Sequence, residues 1–234
     1  MRLDKYLSEQ QVGSRSEVHE LIKHNRVMID GDVAKKFGFN VNPEKHQVMV
    51  DEKLIQYQAE YCYLLNKPAG IITATSDNKE KTVMDLFSPD DFRKDLFPIG
   101  RLDKDTTGML IITMDGKLGH RLASPKSKTR KTYIATVTGK VSEADLDQLR
   151  NGIELKDGTT AVADDVKLLE SQTESIIELT LHEGKYHEVK RMFGALGEKV
   201  VKLHRQSFAG ISDDNLQPGQ YRELTTEEIE MLRK

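Results

Sequence analysis

An α+β fold with a largely antiparallel sheet is predicted for most of this 234-residue chain. Three observations predict it. Apolar runs of strand length recur from Tyr61 to Phe208, helical patterns between them are few and short, and strands and helices do not alternate as βαβ winding requires. A smaller helical unit with its own short strands precedes this region and is expected over residues 1–58, with the larger unit over 59–234.

The elements follow in order. Leu3, Tyr6 and Leu7 recur at helical spacing. Ser14-Arg15-Ser16-Glu17 is a capping-box pattern that starts a second helix carrying Val18, Leu21 and Ile22. Val27 to Ile29 reads as a strand closed by the Asp30-Gly31 turn, and Val48 to Val50 as another. The polar stretch Asp51 to Glu60 reads as a linker. Beyond it, strands are expected at Tyr61–Leu65, Ile71–Thr73 and Met109–Thr113, with a turn at Lys67-Pro68-Ala69-Gly70 and a short helix over Thr82–Phe87. A helix over Lys117–Ala123, an alternating strand over Lys131–Thr138 and a helix over Ser142–Arg150 come next, then strands near Ala161–Leu169 and Ser175–Leu181. Val189, Met192, Phe193 and Leu196 form an apolar stripe at i, i+3, i+4 and i+7, which predicts a helix over Tyr186–Leu196 with Gly197 as its C-cap. Lys190 lies about 100° from Val189 on that helix, at the edge of the buried face, so its stem can lie in the core and its amine in a cleft. Lys199 to Phe208 alternates, with Val201, Leu203 and Arg205 on one face.

Hydrophobic content of 37% and charged content of 31% are those of an ordinary soluble protein. There is no apolar run near the roughly 20 residues a membrane helix needs, and the charged start Met1-Arg2-Leu3-Asp4-Lys5 is no secretory signal. A cytoplasmic monomer without membrane contact is expected. The single Cys62 excludes an intramolecular disulfide and a cysteine-rich zinc site. Net charge is −3, yet charge is segregated: Lys117 to Ser142 holds seven basic residues and no acid. A second cluster comprises Lys185, Lys190, Arg191, Lys199, Lys202 and Arg205. Such segregation suits a phosphate-contacting face, although a lysine-rich solvated surface gives the same pattern.

The densest chemistry lies in Gly100-Arg101-Leu102-Asp103-Lys104-Asp105-Thr106-Thr107-Gly108, a polar turn set against the apolar run Met109-Leu110-Ile111-Ile112. A rigid strand behind a polar loop is a good platform for a catalytic group. The pattern Arg-Leu-Asp-x-Asp-Thr-Thr-Gly resembles the catalytic signature of the pseudouridine synthases. Three more stretches resemble that family in the expected order: Asn66-Lys67-Pro68-Ala69-Gly70, Arg130-Lys131-Thr132-Tyr133, and Glu183 to Met192. The N-terminal order of elements resembles the S4 RNA-binding module, and the whole is most similar to the RsuA type, which acts on small-subunit ribosomal RNA.

The resemblance implies a pseudouridine synthase fold, ribosomal RNA as partner, and a reaction needing neither metal nor cofactor. It implies Asp103 as the central carboxylate, which can attack the sugar, stabilise cationic character at C1′ or remove a sugar proton. Arg101 matches the arginine that fills or flanks the space left by the extruded base, and Tyr133 an aromatic that stacks on uracil. Lys190 matches the cation paired with the catalytic aspartate, which direct pairing would hold within about 6 Å. Leu203 matches the apolar residue against the base. Lys67, Lys131, Arg191 and Arg205, with Arg15, Lys23 and Arg26 of the S4-like unit, are the expected RNA contacts, alongside His24, Lys35 and Lys36. Asp105, Thr106, Thr107 and Gly108 are assigned to turn geometry, and His187 and His204 to structural or RNA-facing roles. Other readings remain open: a large-subunit target, a non-catalytic S4 RNA-binding protein, and a phosphatase using Asp103-x-Asp105-x-Thr107 as its nucleophile loop. Pro98 in the segment before that loop argues against the central strand a phosphatase needs.

Overall fold

The computed structural model describes residues 1–58 and 60–234, the side chain of Pro125 excepted. Its contacts divide the chain into Met1–Ala59 and Glu60–Lys234.

The N-terminal unit has two helices, α1 (Leu3–Glu9) and α2 (Arg15–Lys23), and four short strands, β1 (Val27–Ile29), β2 (Asp32–Val33), β3 (Val48–Val50) and β4 (Lys53–Ile55). The predicted capping box is present. Ser14 Oγ accepts the Glu17 N–H, and the Glu17 carboxylate accepts the Ser14 N–H. Asp30 and Gly31 take positive φ (53° and 91°) and close the tight β1–β2 hairpin. The strands pair antiparallel in the order β2-β1-β3-β4, and Leu3, Tyr6, Leu7, Val18, Ile22, Val27 and Val48 form the core beneath. The expected linker is shorter than read, because Lys53–Ile55 turns back through Asp51 and Glu52 to pair with β3. Ala59, within that stretch, lies outside the described residues.

The larger unit is one mixed sheet of eight strands. It contains β5 (Cys62–Lys67), β6 (Phe97–Pro98), β7 (Thr107–Thr113), β8 (Lys131–Thr138), β11 (Asp165–Ser171), β12 (Glu174–Leu181), β13 (Val200–Phe208) and β14 (Tyr221–Glu223), while β9 (Ile153–Glu154) and β10 (Thr160–Ala161) pair apart. The order is β11-β12-β8-β13-β7-β5-β14, with β6 on β7. Of these pairings only β13–β7 is parallel. Four helices flank it: α3 (Gly116–Ala123), α4 (Glu143–Asn151), α5 (Glu188–Ala195) and α6 (Thr226–Leu232).

Both faces of the central strands are buried, which is why Cys62–Leu65 of β5 and Met109–Ile112 of β7 run apolar without alternating. Tyr63, Leu65, Leu110 and Ile112 face the cluster that takes in Val189, Met192 and Phe193 of α5. Cys62, Leu64, Met109 and Ile111 face the opposite cluster, with Leu118 and Leu122 of α3 and Leu232 of α6. No helix among the described residues is long and apolar enough to cross a membrane.

Four elements depart from expectation. Ile71–Thr73 forms a single bridge, Ile72 to Thr82, and no strand. Thr82–Phe87 narrows to a 3₁₀ turn over Val83–Leu86, capped by Thr82 and Asp85. Helix α5 starts at Glu188 because His187 takes a left-handed φ of 50°. Val201 is 47% exposed, because the β13–β8 register shifts between Val200 and Lys202 and takes Val201 off the face of Leu203 and Arg205. In addition, β14 and α6 were not foreseen, although Thr225 and Glu228 form a capping box visible in the residues.

Candidate active site

The Arg101–Thr106 segment joins the edge strand β6 to the central strand β7, and it is tied down at several points. Ile99 N–H donates to the Ile111 carbonyl at 2.8 Å, and Gly70 N–H donates to the Lys104 carbonyl at 2.8 Å. Thr73 Oγ1 donates to the Leu102 carbonyl (2.8 Å) and accepts the Leu102 N–H (3.1 Å). Lys67 completes the anchoring from below. Its amine donates to the carbonyls of Pro68 (3.0 Å), Asp103 (3.0 Å) and Thr106 (2.9 Å). A loop held by side chains from two other segments presents its carboxylate with little freedom.

Lys67 therefore does not meet the expectation of an RNA contact. It is fully buried, with 0% exposure, and its donors are spent on loop carbonyls. Burial, partly offset by Asp105 and Asp103, lowers its pKa to about 8 from an ordinary 10.5. Between those values the unfolded chain binds more protons than the folded one. This group's contribution to stability therefore rises with pH through that window. Replacing Lys67 with Met should flatten the rise of unfolding free energy between about pH 8 and 10. Denaturant titrations across that range check it, and an unchanged slope in Lys67→Met would contradict the burial of a charged amine there.

A cleft of about 70 Å³ opens above the loop, lined by Arg101, Asp103, Thr106, Tyr133, Leu181, Gly184, His187, Glu188, Lys190 and Leu203 among others. Lys190 reaches it from the first turn of α5, whose apolar stripe fixes the helix in the core. Its amine lies 3.1 Å from Asp103 Oδ2, and 2.7 and 2.9 Å from the two oxygens of Asp105. One cation thus holds two carboxylates. Burial pulls the Lys190 pKa down, but the bonds from Asp105 and Asp103 outweigh it and the net shift is upward. The bond from Lys190 also holds the Asp105 carboxyl below its usual range. Asp105, expected to serve turn geometry alone, is the nearer partner of Lys190. His187, also expected outside the chemistry, places Nε2 at 3.4 Å from Asp103 Oδ1, because its left-handed conformation turns the ring toward the loop.

Tyr133 rises from β8 and Leu203 from the adjacent β13, and both are nearly buried, at 9% and 8% exposure. They form an apolar part of the wall of the same cleft. Arg101 is exposed at the mouth and forms no hydrogen bond or ion pair within the described residues, so its guanidinium is available to a ligand. Two further groups line the cleft: Thr106, expected to serve turn geometry, and Glu188, which has no expected role of its own. Thr106 is 2% exposed and its Oγ1 is buried without a hydrogen-bond partner. Glu188 is 5% exposed, and burial raises its pKa. Neither position carries a periodic or charge signal that distinguishes it.

The other expected RNA contacts lie apart from this cleft or are already engaged. Lys131 donates to the carbonyls of Thr129 (2.9 Å), His182 (3.0 Å) and Glu183 (3.1 Å), tying the start of β8 to the loop after β12. Arg191 pairs with Asp157. Arg205 is buried at 1% exposure. In the N-terminal unit Lys23 pairs with Glu20 and Arg26 with Asp51, all four being exposed. Surface pairs of this kind contribute little, and phosphate can replace the carboxylate. Arg15, His24, Lys35 and Lys36 are exposed.

A carboxylate held by a lysine beneath a tyrosine, on a sheet with a single parallel pairing, marks the larger unit as a pseudouridine synthase domain, and comparison with known proteins agrees. Residues 61–195 match the RNA pseudouridylate synthase family, and residues 1–46 match the S4 domain. The chain is 43% identical to an RNA pseudouridine synthase of Bacillus subtilis (strain 168), covering 100% of this chain and 99% of that one. It is 40% identical to ribosomal small subunit pseudouridine synthase A of Escherichia coli (strain K12), covering 98% of each. A crystal structure of a pseudouridylate synthase superimposes with a TM-score of 0.68 at 34% identity, over 99% of both chains. This chain belongs to the RNA pseudouridylate synthase family and carries an S4 domain at its N-terminus.

Proposed function

We propose that the protein isomerises a specific uridine of small-subunit ribosomal RNA to pseudouridine. The observation that carries the chemistry is the Lys190 amine 3.1 Å from Asp103 in a cleft walled by Tyr133 and Leu203. The small-subunit target rests on full-length similarity to enzymes named for that substrate. The uridine leaves the RNA stack at a cost of a few kcal/mol. Arg101, free at the mouth, stacks in the vacated space or pairs with backbone phosphate. Tyr133 and Leu203 hold the uracil ring between aromatic and aliphatic surfaces.

Asp103 acts at the ribose as the C1′–N1 bond breaks, by attack at C1′, by stabilising positive charge there, or by taking a sugar proton. Lys190 supplies the counter-charge beside it, while Asp105 and His187 fix its orientation. The base turns, C5 bonds to C1′, and the proton on C5 is lost as N1 gains one, so that atoms and charge balance. The Tyr133 hydroxyl, which forms no hydrogen bond to the described residues, assists removal of the C5 proton. The S4 unit supplies affinity for folded RNA through its exposed cations.

The test is a map of pseudouridines in ribosomal RNA from a strain lacking this gene. One pseudouridine should be missing from the small subunit and return with the wild-type gene. A loss confined to the large subunit would reassign the target, and an unchanged map would remove ribosomal RNA as substrate.

A further inference from the structure

A second cavity, of about 270 Å³, adjoins the first and shares Arg101, Tyr133, Gly184 and Lys185 with it. Its far wall includes Ser124, Lys131, His182, Glu183, Arg205 and Phe208, with the Glu183 carboxylate paired to Lys185 at 2.7 Å. Arg205 is the unusual member. It is 1% exposed, and its Nε donates to the Met109 carbonyl at 2.7 Å. Its guanidinium carbon lies 4.7 Å from the centre of the Phe208 ring. Its Nη2 is buried with no acceptor, and no carboxylate pairs with it among the described residues. A buried guanidinium without an anion is costly in a folded chain.

The surroundings deepen that imbalance. Lys131 lines the same cavity, and its amine already serves three carbonyls, so it adds charge without an available donor. Burial first, and then Arg205, bring its pKa down to about 8, which records two cations in one desolvated wall. The cavity is many times the roughly 10–15 Å³ that one water needs, so a tetrahedral anion fits. Charge, an unused donor and space all call for an anionic oxygen, and the shared wall of Arg101 and Tyr133 joins this cavity to the cleft of Asp103.

We propose that the Arg205 cavity binds a phosphate of the RNA strand beside the extruded uridine, with Nη2 of Arg205 as the donor. The proposal rests on the reading of the Asp103 cleft as the uridine site. In this arrangement the flanking phosphate is held on one side of Tyr133 while the base lies on the other. The strand is then fixed in its extruded path, and the counter-charge that Arg205 lacks arrives only with substrate. Arg205 is a binding residue in this scheme and touches no reacting atom.

Two measurements test it, both with the full-length protein. First, inorganic phosphate is titrated into protein carrying isotope-labelled arginine, and the guanidinium resonances are followed by NMR. The Arg205 resonance, identified by its loss in Arg205→Lys, should shift at millimolar phosphate. No shift overturns the site, whatever RNA the enzyme acts on. Second, RNA substrates carry a neutral methylphosphonate at successive linkages around the target uridine. One adjacent linkage should lower kcat/KM of the wild-type enzyme about tenfold or more, as loss of a charged hydrogen bond does. In Arg205→Lys, once shown to melt as a folded protein, that penalty should shrink. A scan with no sensitive linkage, alongside normal turnover of unmodified RNA, overturns the phosphate assignment and leaves the isomerase reading intact. Phosphate binding without a sensitive linkage means a site for free phosphate only and also overturns it. Lack of turnover on unmodified RNA strikes the functional reading, and the titration alone then decides this one.

Discussion

Asp103→Asn is expected to abolish pseudouridine formation while RNA affinity changes by no more than a few-fold. The amide has the shape of the carboxylate and can keep the same place in a loop held by Lys67 and Thr73 through the backbone. It cannot attack C1′, balance positive charge there or accept a sugar proton, so all three roles open to Asp103 fail together. Removing a group that acts at the reacting carbon costs on the order of 10⁴-fold or more in turnover. RNA tritiated at uridine C5 gives the readout, because the C5 proton is lost with each isomerisation. Substantial tritium release by Asp103→Asn, with deamidation excluded by mass, would sink the assignment. A large loss of RNA affinity would show that Asp103 helps to bind.

Gly108→Ala is expected to be the most destabilising single substitution where the catalytic loop enters β7. Gly108 has φ of 111° and faces Arg205 across the parallel β7–β13 pairing. A Cβ there would lie 2.2 Å from the Arg205 carbonyl oxygen and 2.6 Å from its nitrogen. Both are backbone atoms of a central strand, so neither can swing aside. The clash and the left-handed backbone together should cost upwards of about 4 kcal/mol, a large part of the roughly 5–15 kcal/mol available to a typical domain. Gly70→Ala is the control, since φ there is 85° but nothing lies within 4 Å of the added carbon. It should lose only about 1–2 kcal/mol. Equal melting temperatures for the two variants would show that the close approach of β13 carries no weight.

Features set by neighbouring residues were legible in the sequence. The Ser14–Glu17 capping box, the alternation of Lys131–Thr138 and the stripe of α5 are local patterns, and each produced the element it predicts. Lys190 could be set at the rim of a cleft because helical geometry alone fixes its angle to Val189. What long-range contacts decide was not legible. Ile71-Ile72-Thr73 has strand composition, yet the Thr73 hydroxyl is used to hold Leu102 and the segment forms one bridge only. Val201 leaves its expected face through a register shift that no alternation reveals. The cations misled most. Lys67 and Lys131 read as an outward basic surface, but each turns inward to donate to loop carbonyls, and Arg205 is buried against the Met109 carbonyl of β7. Gly108 and Asp105 read as turn residues, because neither the approach of β13 nor the reach of Lys190 is visible in a linear chain.

Lys190 pairs directly with Asp103 for chemistry at the ribose, and a pH–rate profile of Lys190→Met under single-turnover conditions is the decisive test of that pairing. Without the amine, Asp103 and Asp105 stand in a partly enclosed cleft with no shared cation, and Asp105 loses the bond that holds its carboxyl below the usual range. The acidic limb of the profile should move to higher pH, because loss of a neighbouring cation favours the protonated carboxyl. Lys190→Arg should return most of it. An acidic limb that stays in place while the Michaelis constant rises would contradict the claim and make Lys190 a phosphate contact.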